Sequence, residues 1–430
     1  MHVSYAKNDT SISQIEDDDF QRSLHFTTTV AKHQKKDVYE VVSLFSGCGG
    51  LDLGFQGGFE YRHFSFPKTK FNPIFANDID AAAALVHQAN PKYFKDTHFV
   101  HSDVKNIASE AVPDFDFLIA GFPCQPFSNA GLRKGITDAR GNLFEECERL
   151  LGDSVPRTKK PLGFVFENVK GILSSKMPDG TSVPNEIVKR MDAYGYTTVY
   201  RLINTADYGV PSNRHRVIMV GLRADLGVFD FDLLHEVVAA HKLPNKENDR
   251  YDLCLGSILC DIPADAPQRN DYWKYSPGGQ FMVDKIGPCA DGARALADFA
   301  QKKPLQAIAD TISTGRSWKN MNYEDFTPRF RKIWDDPKRY HAPNFYRRFA
   351  LGEINGTIIA SAQPENCGIT HPFENRRFSI REIARIQSFP DDFVFPSTTI
   401  ANAYKVIGNA VPPIMGWVIA QALLKHLEKQ

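Results

Sequence analysis

The sequence predicts an α/β fold with a doubly wound, mainly parallel sheet and helices on both of its faces. Two observations support this prediction. Between residues 38 and 225, apolar runs of strand length alternate with segments whose apolar residues recur at helical spacing. In addition, several of these runs end in glycine, aspartate, glutamate or cysteine, at the sheet edge where open α/β sheets bind ligands.

The individual elements follow from this alternation. Strands are predicted at residues 39–45, 73–77, 97–102, 115–120, 163–167, 197–204 and 216–221, and helices at 79–88, 142–151 and 183–194. The spacing Ser379-Ile380-Arg381-Glu382 is that of a capping box and predicts a further helix. Pro412-Pro413 precede a C-terminal helix predicted at residues 414–427.

Length and composition predict a soluble protein of more than one domain. The chain has 430 residues, of which 42% are hydrophobic and 24% charged. Residues 1–37 are polar and are expected to form a loosely ordered extension. Residues 226–375 mix short apolar runs with Pro, Gly and aromatic residues, which predicts a second, irregular domain. No apolar run of about 18 residues and no signal-peptide pattern occurs, so no membrane association is expected.

Charge and cysteine usage argue against several further classes. The formal net charge is +0, so a nucleic-acid surface must be a local basic patch. The 7 cysteines are odd in number and lack CxxC pairs, which argues against a disulfide framework and against a structural metal site. This usage predicts a reducing, cytoplasmic environment.

A candidate nucleophile is Cys124, within Gly121-Phe122-Pro123-Cys124-Gln125-Pro126-Phe127-Ser128. It follows a predicted buried strand, and the two flanking prolines restrict its backbone. A thiol presented on a stiff loop suits covalent catalysis. The alternative, an ordinary half-buried cysteine, is common for a lone cysteine, so the neighbouring motifs decide between the two.

Three successive strand ends predict a nucleoside site. After the first strand, Gly47, Gly49 and Gly50 allow backbone N–H groups to approach an anionic ligand. Asp78 ends the next strand and suits ribose hydroxyls, and Asp103 ends the third and suits an adenine amino group. Each carboxylate alone is also typical of a helix cap. NAD fits poorly, because Asp52 stands where the dinucleotide fingerprint requires its third glycine.

Acidic and basic residues follow at later strand ends. Glu167 closes a strand predicted to lie one or two positions from that of Cys124, and its alternative role is a salt bridge or a cap. Arg214 and Arg216 alternate onto one face of an extended segment, as two guanidinium forks suited to a phosphate or a base oxygen.

In this order the motifs resemble those of the cytosine-C5 DNA methyltransferase family of bacterial restriction–modification systems. The resemblance covers roughly residues 38–225 and 376–430. The matching motifs are Leu44-Phe45-Ser46-Gly47-x-Gly49-Gly50, Asn77-Asp78-x-Asp80, Asp103, Pro123-Cys124-Gln125-Pro126-Phe127-Ser128, Arg140-Gly141-Asn142-Leu143-Phe144, Glu167-Asn168-Val169, Arg214-His215-Arg216, Arg381-Glu382, Gln387-Ser388-Phe389-Pro390 and Tyr404-Lys405-Val406-Ile407-Gly408-Asn409-Ala410-Val411-Pro412.

The resemblance implies a Rossmann-like methyltransferase that uses S-adenosylmethionine as cofactor. It implies that Cys124 attacks C6 of a flipped-out cytosine, that Glu167 hydrogen-bonds the base, that Arg216 holds its O2 edge, and that Arg214 and Arg216 favour the thiolate. The residues implied to bind the cofactor are Phe45, Gly47, Cys48, Gly50, Asp78, Ile79, Asp103, Val104, Pro123, Leu143, Asn409 and Ala410. Three positions depart from the pattern of the family, namely Ser43, Ile79 and Ser212.

The resemblance also implies a domain plan and partners. Residues 38–225 are the expected catalytic domain, 226–375 the target-recognition domain, and 376–430 a return segment whose C-terminal helix packs on the catalytic domain. Double-stranded DNA is the implied substrate, and a companion restriction endonuclease acts separately. A cytoplasmic, nucleoid-associated bacterial monomer is expected. The residues predicted to contact DNA are Gln125, Ser128, Arg133 and Lys134 in the catalytic loop, and Arg316, Arg331 and Lys332 in a basic, aromatic stretch.

Several alternatives stay open at this point. The basic stretch also fits a solvated face over a small aromatic core. An RNA methyltransferase with the same chemistry is the nearest alternative function, although the Cys-Phe-Thr tripeptide of those relatives is absent. A non-catalytic DNA-binding relative and an NAD oxidoreductase are the others.

Overall fold

The structure is a computed structural model. It describes residues 35–123, 143–152, 159–289, 292–312, 314–336, 346–360, 370–397 and 399–429. The predicted N-terminal extension lies almost wholly outside these residues. Residues 34–430 form one compact unit. The division of that unit into catalytic, recognition and return segments stays a prediction.

The described residues form strands and helices in the following order. The strands are β1 (Tyr39–Leu44), β2 (Phe59–Tyr61), β3 (Phe64–Phe66), β4 (Phe71–Asp78), β5 (His98–His101), β6 (Phe117–Ala120), β7 (Gly163–Val169), β8 (Tyr196–Asn204), β9 (Ser212–Asn213), β10 (His215–Arg223) and β11 (Asn355–Gly356). The helices are α1 (Gly50–Gln56), α2 (Ala81–Ala89), α3 (Pro91–Phe94), α4 (Leu143–Leu151), α5 (Val183–Ala193), α6 (Leu233–Ala240), α7 (Leu255–Leu259), α8 (Pro277–Ile286), α9 (Gly292–Ala300), α10 (Pro328–Trp334), α11 (Ile380–Ile386), α12 (Ile400–Asn409) and α13 (Pro413–Lys429).

Seven strands form the central sheet, in the order β5-β4-β1-β6-β7-β10-β8. The pairs among β5, β4, β1, β6 and β7 are parallel, whereas β10 is antiparallel to both β7 and β8. Only residues 205–214 connect β8 to β10, and this link is shorter than a parallel crossover requires. The predicted fold class, a mainly parallel α/β sheet, is confirmed.

The sheet changes winding direction at β1. From β1 the chain proceeds outward through β4 and β5, and then returns to the other side of β1 with β6 and β7. The carboxyl ends of β1 and β6 therefore open a crevice between the two halves. In open α/β sheets this switch point is the usual ligand site.

Each face of the sheet packs into its own hydrophobic core. Along β1, Val41 belongs to one core and Val42 to the other, and along β6 the same alternation separates Phe117 from Leu118. Successive strand side chains point to opposite faces, so apolar residues at every position of β6 indicate burial on both sides. This is the doubly wound packing that the uninterrupted apolar runs predicted.

The C-terminal helices pack on the first core. The capping box predicted at α11 is present, with Ser379 and Glu382 each bonding the other's backbone N–H. Helix α13 crosses α1 so closely that a Cβ on Gly54 would lie 2.6 Å from Gly416 Cα. By length and composition alone, segment Ile400–Lys429 is apolar enough to span a membrane, but 89% of its most apolar window is buried inside the protein.

Segment 226–375 contains more regular structure than its sequence pattern indicates. Helices α6 to α10 lie within it. Their apolar runs are too short and irregular to predict a helix from the sequence, but each run still buries one face of its helix. A separate small core gathers several of its aromatic residues, among them Trp318 and Phe330.

Candidate active site

A cavity of about 740 Å³ opens at the switch point of the sheet. Its walls come from the ends of β1, β4, β5, β6 and β7 and from the turn between α12 and α13. Ten of the twelve residues predicted to bind the cofactor line it, and so do two predicted to contact the target base. These are Phe45, Gly47, Asp78, Ile79, Asp103, Val104, Pro123, Leu143, Asn409 and Ala410, with Glu167 and Arg216.

The turn after β1 presents backbone to the cavity. Phe45 and Gly47 have left-handed φ angles of 55° and 56°, a conformation that costs a non-glycine residue free energy and is often kept at functional sites. The N–H of Gly47 donates to Oδ2 of Asp78 at 2.8 Å, and Oδ1 accepts from the N–H of Asp80, also at 2.8 Å. Burial raises the pKa of Asp78. A hydrogen bond therefore joins the turn after β1 directly to the end of β4.

Two predicted cofactor residues, Cys48 and Gly50, do not line the cavity. The side chain of Cys48 is buried, its thiol donates to the carbonyl of Val406, and burial raises its pKa. Gly50 packs against the return segment, where a Cβ would lie 2.2 Å from the carbonyl oxygen of Val411. These residues support the turn from behind, and their predicted part in cofactor binding stays a prediction.

A buried polar network adjoins the same turn, and two of its members, Ser46 and Asp52, also line the cavity. The Ser46 hydroxyl donates to Oδ2 of Asp52 at 3.1 Å and lies 3.1 Å from Nε2 of His87. Asp52 is fully buried, and its Oδ1 has no hydrogen-bond partner. Desolvation raises the pKa of Asp52 to about 6, opposed by the hydroxyls of Ser43 and Ser46. In the sequence, Asp52 served only to exclude NAD. Its position among apolar residues of a helix turn is the signal that could have indicated a buried acid.

The raised pKa of Asp52 predicts a pH-dependent stability. The folded protein keeps a proton on Asp52 up to about pH 6, whereas the unfolded chain releases it near pH 3.8. Stability therefore falls as pH rises through this window, and the loss is complete above it. We expect Asp52→Asn to gain roughly 1–2 kcal/mol relative to wild type between pH 5 and pH 8, measured by urea unfolding. A difference that does not change with pH would contradict the assignment.

The remaining walls suit a nucleoside. Asp103 caps a short turn by accepting from the N–H of Lys105 at 3.0 Å and borders the cavity beside Val104. The Ile79 side chain is 66% exposed and offers an apolar surface. Lys405, whose role sequence reasoning missed, bridges the rim to Asp80 at 2.8 Å. Lys405 belongs to the motif Tyr404-Lys405-Val406-Ile407-Gly408-Asn409-Ala410-Val411-Pro412, and this is the sequence signal that could have placed it at the site.

The opposite end of the cavity holds an acidic and a basic group together. Nε of Arg216 lies 2.7 Å from Oε1 of Glu167, which is only 8% exposed. Strand β7 pairs with β6, so Glu167 lies beside Gly121, where a Cβ would be 3.5 Å from its Oε2. The Asn168 amide donates to the carbonyl of Phe122 at 3.0 Å and ties the two strand ends together.

Arg214 does not lie with Arg216. Its side chain is fully buried outside the cavity, and its guanidinium donates to backbone carbonyls at 2.8 to 3.0 Å. The expectation that it offers a fork to a phosphate or base oxygen is wrong. Alternation along an extended segment does not hold here, because β10 begins only at His215.

The predicted DNA contacts divide into three groups. Arg331 and Lys332 are exposed on α10, and the Arg331 guanidinium lies over the Tyr323 ring at 5.6 Å. Arg316 is half-buried and donates to the carbonyl of Pro288 at 3.3 Å. The catalytic-loop residues Cys124, Gln125, Ser128, Arg133 and Lys134 lie outside the described residues.

Comparison with known proteins identifies the family. A family model described as C-5 cytosine-specific DNA methylase matches residues 39–425. The chain belongs to this family. The type II methyltransferase M.NgoPII of Neisseria gonorrhoeae is 33% identical over 397 residues, covering 91% of this chain and 96% of that protein. M.FnuDI of Fusobacterium nucleatum, also a type II methyltransferase, is 30% identical, covering 90% and 95%.

A solved structure shares the fold of this DNA methyltransferase. The crystal structure of the S. pombe Dnmt2 methyltransferase superposes with a TM-score of 0.55 at 17% identity, covering 90% of this chain and 99% of that one. At this identity the likeness shows the fold alone. It agrees with the mainly parallel sheet described above.

Asp78 of this methyltransferase offers a test of the nucleoside end of the cavity. Both carboxylate oxygens of Asp78 already accept backbone N–H groups, and an asparagine would place an N–H donor against one of them. We expect Asp78→Asn to weaken the binding of S-adenosylhomocysteine by about 10- to 100-fold, measured by calorimetry. Asp265→Asn, at an exposed position away from the cavity, should bind as wild type; equal affinities for all three proteins would contradict the assignment.

Proposed function

We propose that this enzyme transfers a methyl group from S-adenosylmethionine to C5 of a flipped-out cytosine in a short duplex DNA sequence. The proposal includes a transient covalent bond between Cys124 and C6 of that base. It further assigns the enzyme to a type II restriction–modification pair, in which methylation protects DNA from a companion endonuclease. The family and the type II relatives support this assignment.

One observation carries the proposal. A single cavity joins a nucleoside-like end, with Asp78 and Asp103, to an end with Glu167 and Arg216. Gly121, Phe122 and Pro123 line it as well, and Cys124 is the next residue in the chain. A donor molecule and a target base held at the two ends would meet beside this loop.

The residues at the first end fit S-adenosylmethionine. Asp78 and Asp103 are carboxylates suited to ribose hydroxyls and an adenine amino group, and the exposed Ile79 suits an adenine face. The cavity also carries more acidic than basic lining groups, in keeping with a cationic ligand. When bound, S-adenosylmethionine supplies a methyl group on a sulfonium, which is the electrophile that an activated C5 requires.

The residues at the second end would prepare the base. Attack of the Cys124 thiolate on C6 breaks the C5–C6 double bond and places electron density on C5. Glu167 hydrogen-bonds N3 and the exocyclic amine, which stabilises the ring as the sulfur adds. Arg216, held by Glu167, faces the O2 edge and favours the thiolate form of the cysteine. After methylation, loss of the C5 proton to a base re-forms the double bond and expels the Cys124 thiolate.

Base flipping is a requirement of this chemistry, because C6 is inaccessible inside a stacked duplex. The exposed Arg331 and Lys332 on α10 suit contacts with DNA phosphates, which position the duplex without reading its sequence.

Bisulfite sequencing of DNA from a methylation-deficient bacterial host tests the proposal. Cells expressing the chain should show 5-methylcytosine at one position of one short sequence, and cells expressing Cys124→Ser should show none. Incubating the purified protein with labelled cofactor and either duplex DNA or tRNA distinguishes the two substrates. Label in tRNA alone would overturn the assignment to DNA, and no label in either would overturn the activity.

A further inference from the structure

Arg214 connects three segments that are far apart in the sequence. One terminal nitrogen of its guanidinium donates to the carbonyl of Ile358 at 2.8 Å. The other donates to the carbonyls of Gly408 at 2.9 Å and Ala410 at 3.0 Å. Its own backbone precedes β10, two residues before Arg216.

The segment held on one side lies within region 226–375 and follows strand β11. Strand β11 pairs with β9, and the Ser212 hydroxyl donates to the carbonyl of Gly356 at 3.1 Å. Thr357 donates in the same way to the carbonyl of Asn213 at 3.1 Å. Ile358, whose carbonyl accepts from Arg214, lies two residues beyond the end of β11.

The segment held on the other side is a wall of the cavity. Asn409 and Ala410 line the cavity at the end of α12. The contact between the two segments is close, because a Cβ on Gly408 would lie 2.4 Å from the carbonyl carbon of Ile359 and 2.5 Å from the backbone nitrogen of Ala360. No carboxylate neutralises Arg214 within hydrogen-bonding range among the described residues; its partners are carbonyl oxygens.

We infer that Arg214 is a positioning residue, whose guanidinium fork sets the Gly408–Ala410 turn against residues 358–360 and so shapes the cofactor end of the cavity. The fork reaches both segments at once, which the single ammonium group of a lysine does not. Arg214 therefore acts on the cofactor through Asn409 and Ala410, while Arg216, two residues along the chain, acts on the target base. The inference rests on the proposed function only where it names S-adenosylmethionine as the ligand that contacts Asn409 and Ala410.

Two measurements on the full-length protein test the inference. Hydrogen–deuterium exchange should be faster at residues 357–360 and 408–411 in Arg214→Lys than in wild type. Calorimetry with S-adenosylhomocysteine as the probe should show at least tenfold weaker binding. Gly408→Ala should have both effects without altering Arg214, because its new methyl group separates the same two segments.

Two control variants distinguish positioning from general destabilisation. Arg348 is also fully buried and also donates to backbone carbonyls, those of His371, Glu374 and Val283, but does not line or adjoin the cavity wall. Arg348→Lys should lose thermal stability and bind the probe as wild type. Arg216→Lys should lose turnover and keep probe affinity.

The outcomes separate this inference from the proposed function. Unchanged exchange at residues 408–411 in Arg214→Lys overturns the inference, as does a loss of probe affinity in Arg348→Lys as large as that in Arg214→Lys. If wild type fails to bind S-adenosylhomocysteine, the proposed cofactor is wrong, and the exchange measurement alone decides the positioning role.

Discussion

Replacement of Cys124 by serine is expected to abolish methyl transfer, with a loss on the order of 10⁴-fold or more in turnover. A serine hydroxyl is almost never ionised near neutral pH, and it is a far weaker nucleophile than a thiolate. Without the bond to C6, C5 of cytosine lacks the electron density to attack a sulfonium methyl. The measurement is transfer of labelled methyl to duplex DNA that contains the sequence found by bisulfite sequencing.

A second assay makes the covalent step visible. In duplex DNA carrying 5-fluorocytosine at the target position, fluorine blocks release of the enzyme, so wild type should form a complex that survives denaturation and Cys124→Ser should not. Cys260→Ser is a matched control, because that thiol is partly exposed but does not line the cavity. It should keep full activity. Turnover by Cys124→Ser above a tenth of wild type would exclude the covalent mechanism.

Replacement of Glu167 by glutamine is expected to lower turnover by about 10² to 10⁴-fold, with little change in cofactor affinity. The glutamine keeps the size of the side chain but has no carboxyl proton to donate to N3, where negative charge develops as the thiolate adds to C6. It also removes the carboxylate that lies 2.7 Å from Nε of Arg216 and orients it. Single-turnover kinetics at saturating DNA and cofactor measure the chemical step directly.

A second buried pair provides the control for Glu167. Glu148 on α4 is similarly buried, contacts the guanidinium of Arg190, and does not line the cavity. Desolvation, opposed by Arg190, raises the pKa of Glu148 to about 7, so its ionised form contributes little stability near neutral pH. Glu148→Gln should therefore leave the free energy of unfolding near its wild-type value at pH 7 and should not slow methyl transfer. Equal kinetic losses in both variants would mean that Glu167 is structural.

Much of the fold is encoded in local patterns. The uninterrupted apolar run of β6 indicates a strand covered on both faces, and the capping box at Ser379 locates the start of α11. Both signals lie within a few neighbouring residues. Helices α6 to α10 escape prediction, because their apolar faces are short and are completed only by packing against other segments.

The candidate site shows the same division. The sequence alone groups Phe45, Gly47, Asp78 and Asp103, since parallel strands place their carboxyl ends at one edge of a sheet. Cys48 and Gly50 belong to the same motif, yet they face α12 and the return segment instead of the cavity. Spacing within a turn does not reveal which face of that turn meets a ligand.

The sequence alone determined the family, the fold class and the candidates Cys124, Glu167 and Arg216, because these are carried by motifs in a fixed order along the chain. Only the tertiary structure revealed the surroundings of Asp52 and the contacts of Arg214. Arg214 bonds carbonyls 144 to 196 positions away, and the pKa of Asp52 reflects burial by distant segments. Contacts at that separation leave no local pattern, since they depend on how the chain closes around its cavity.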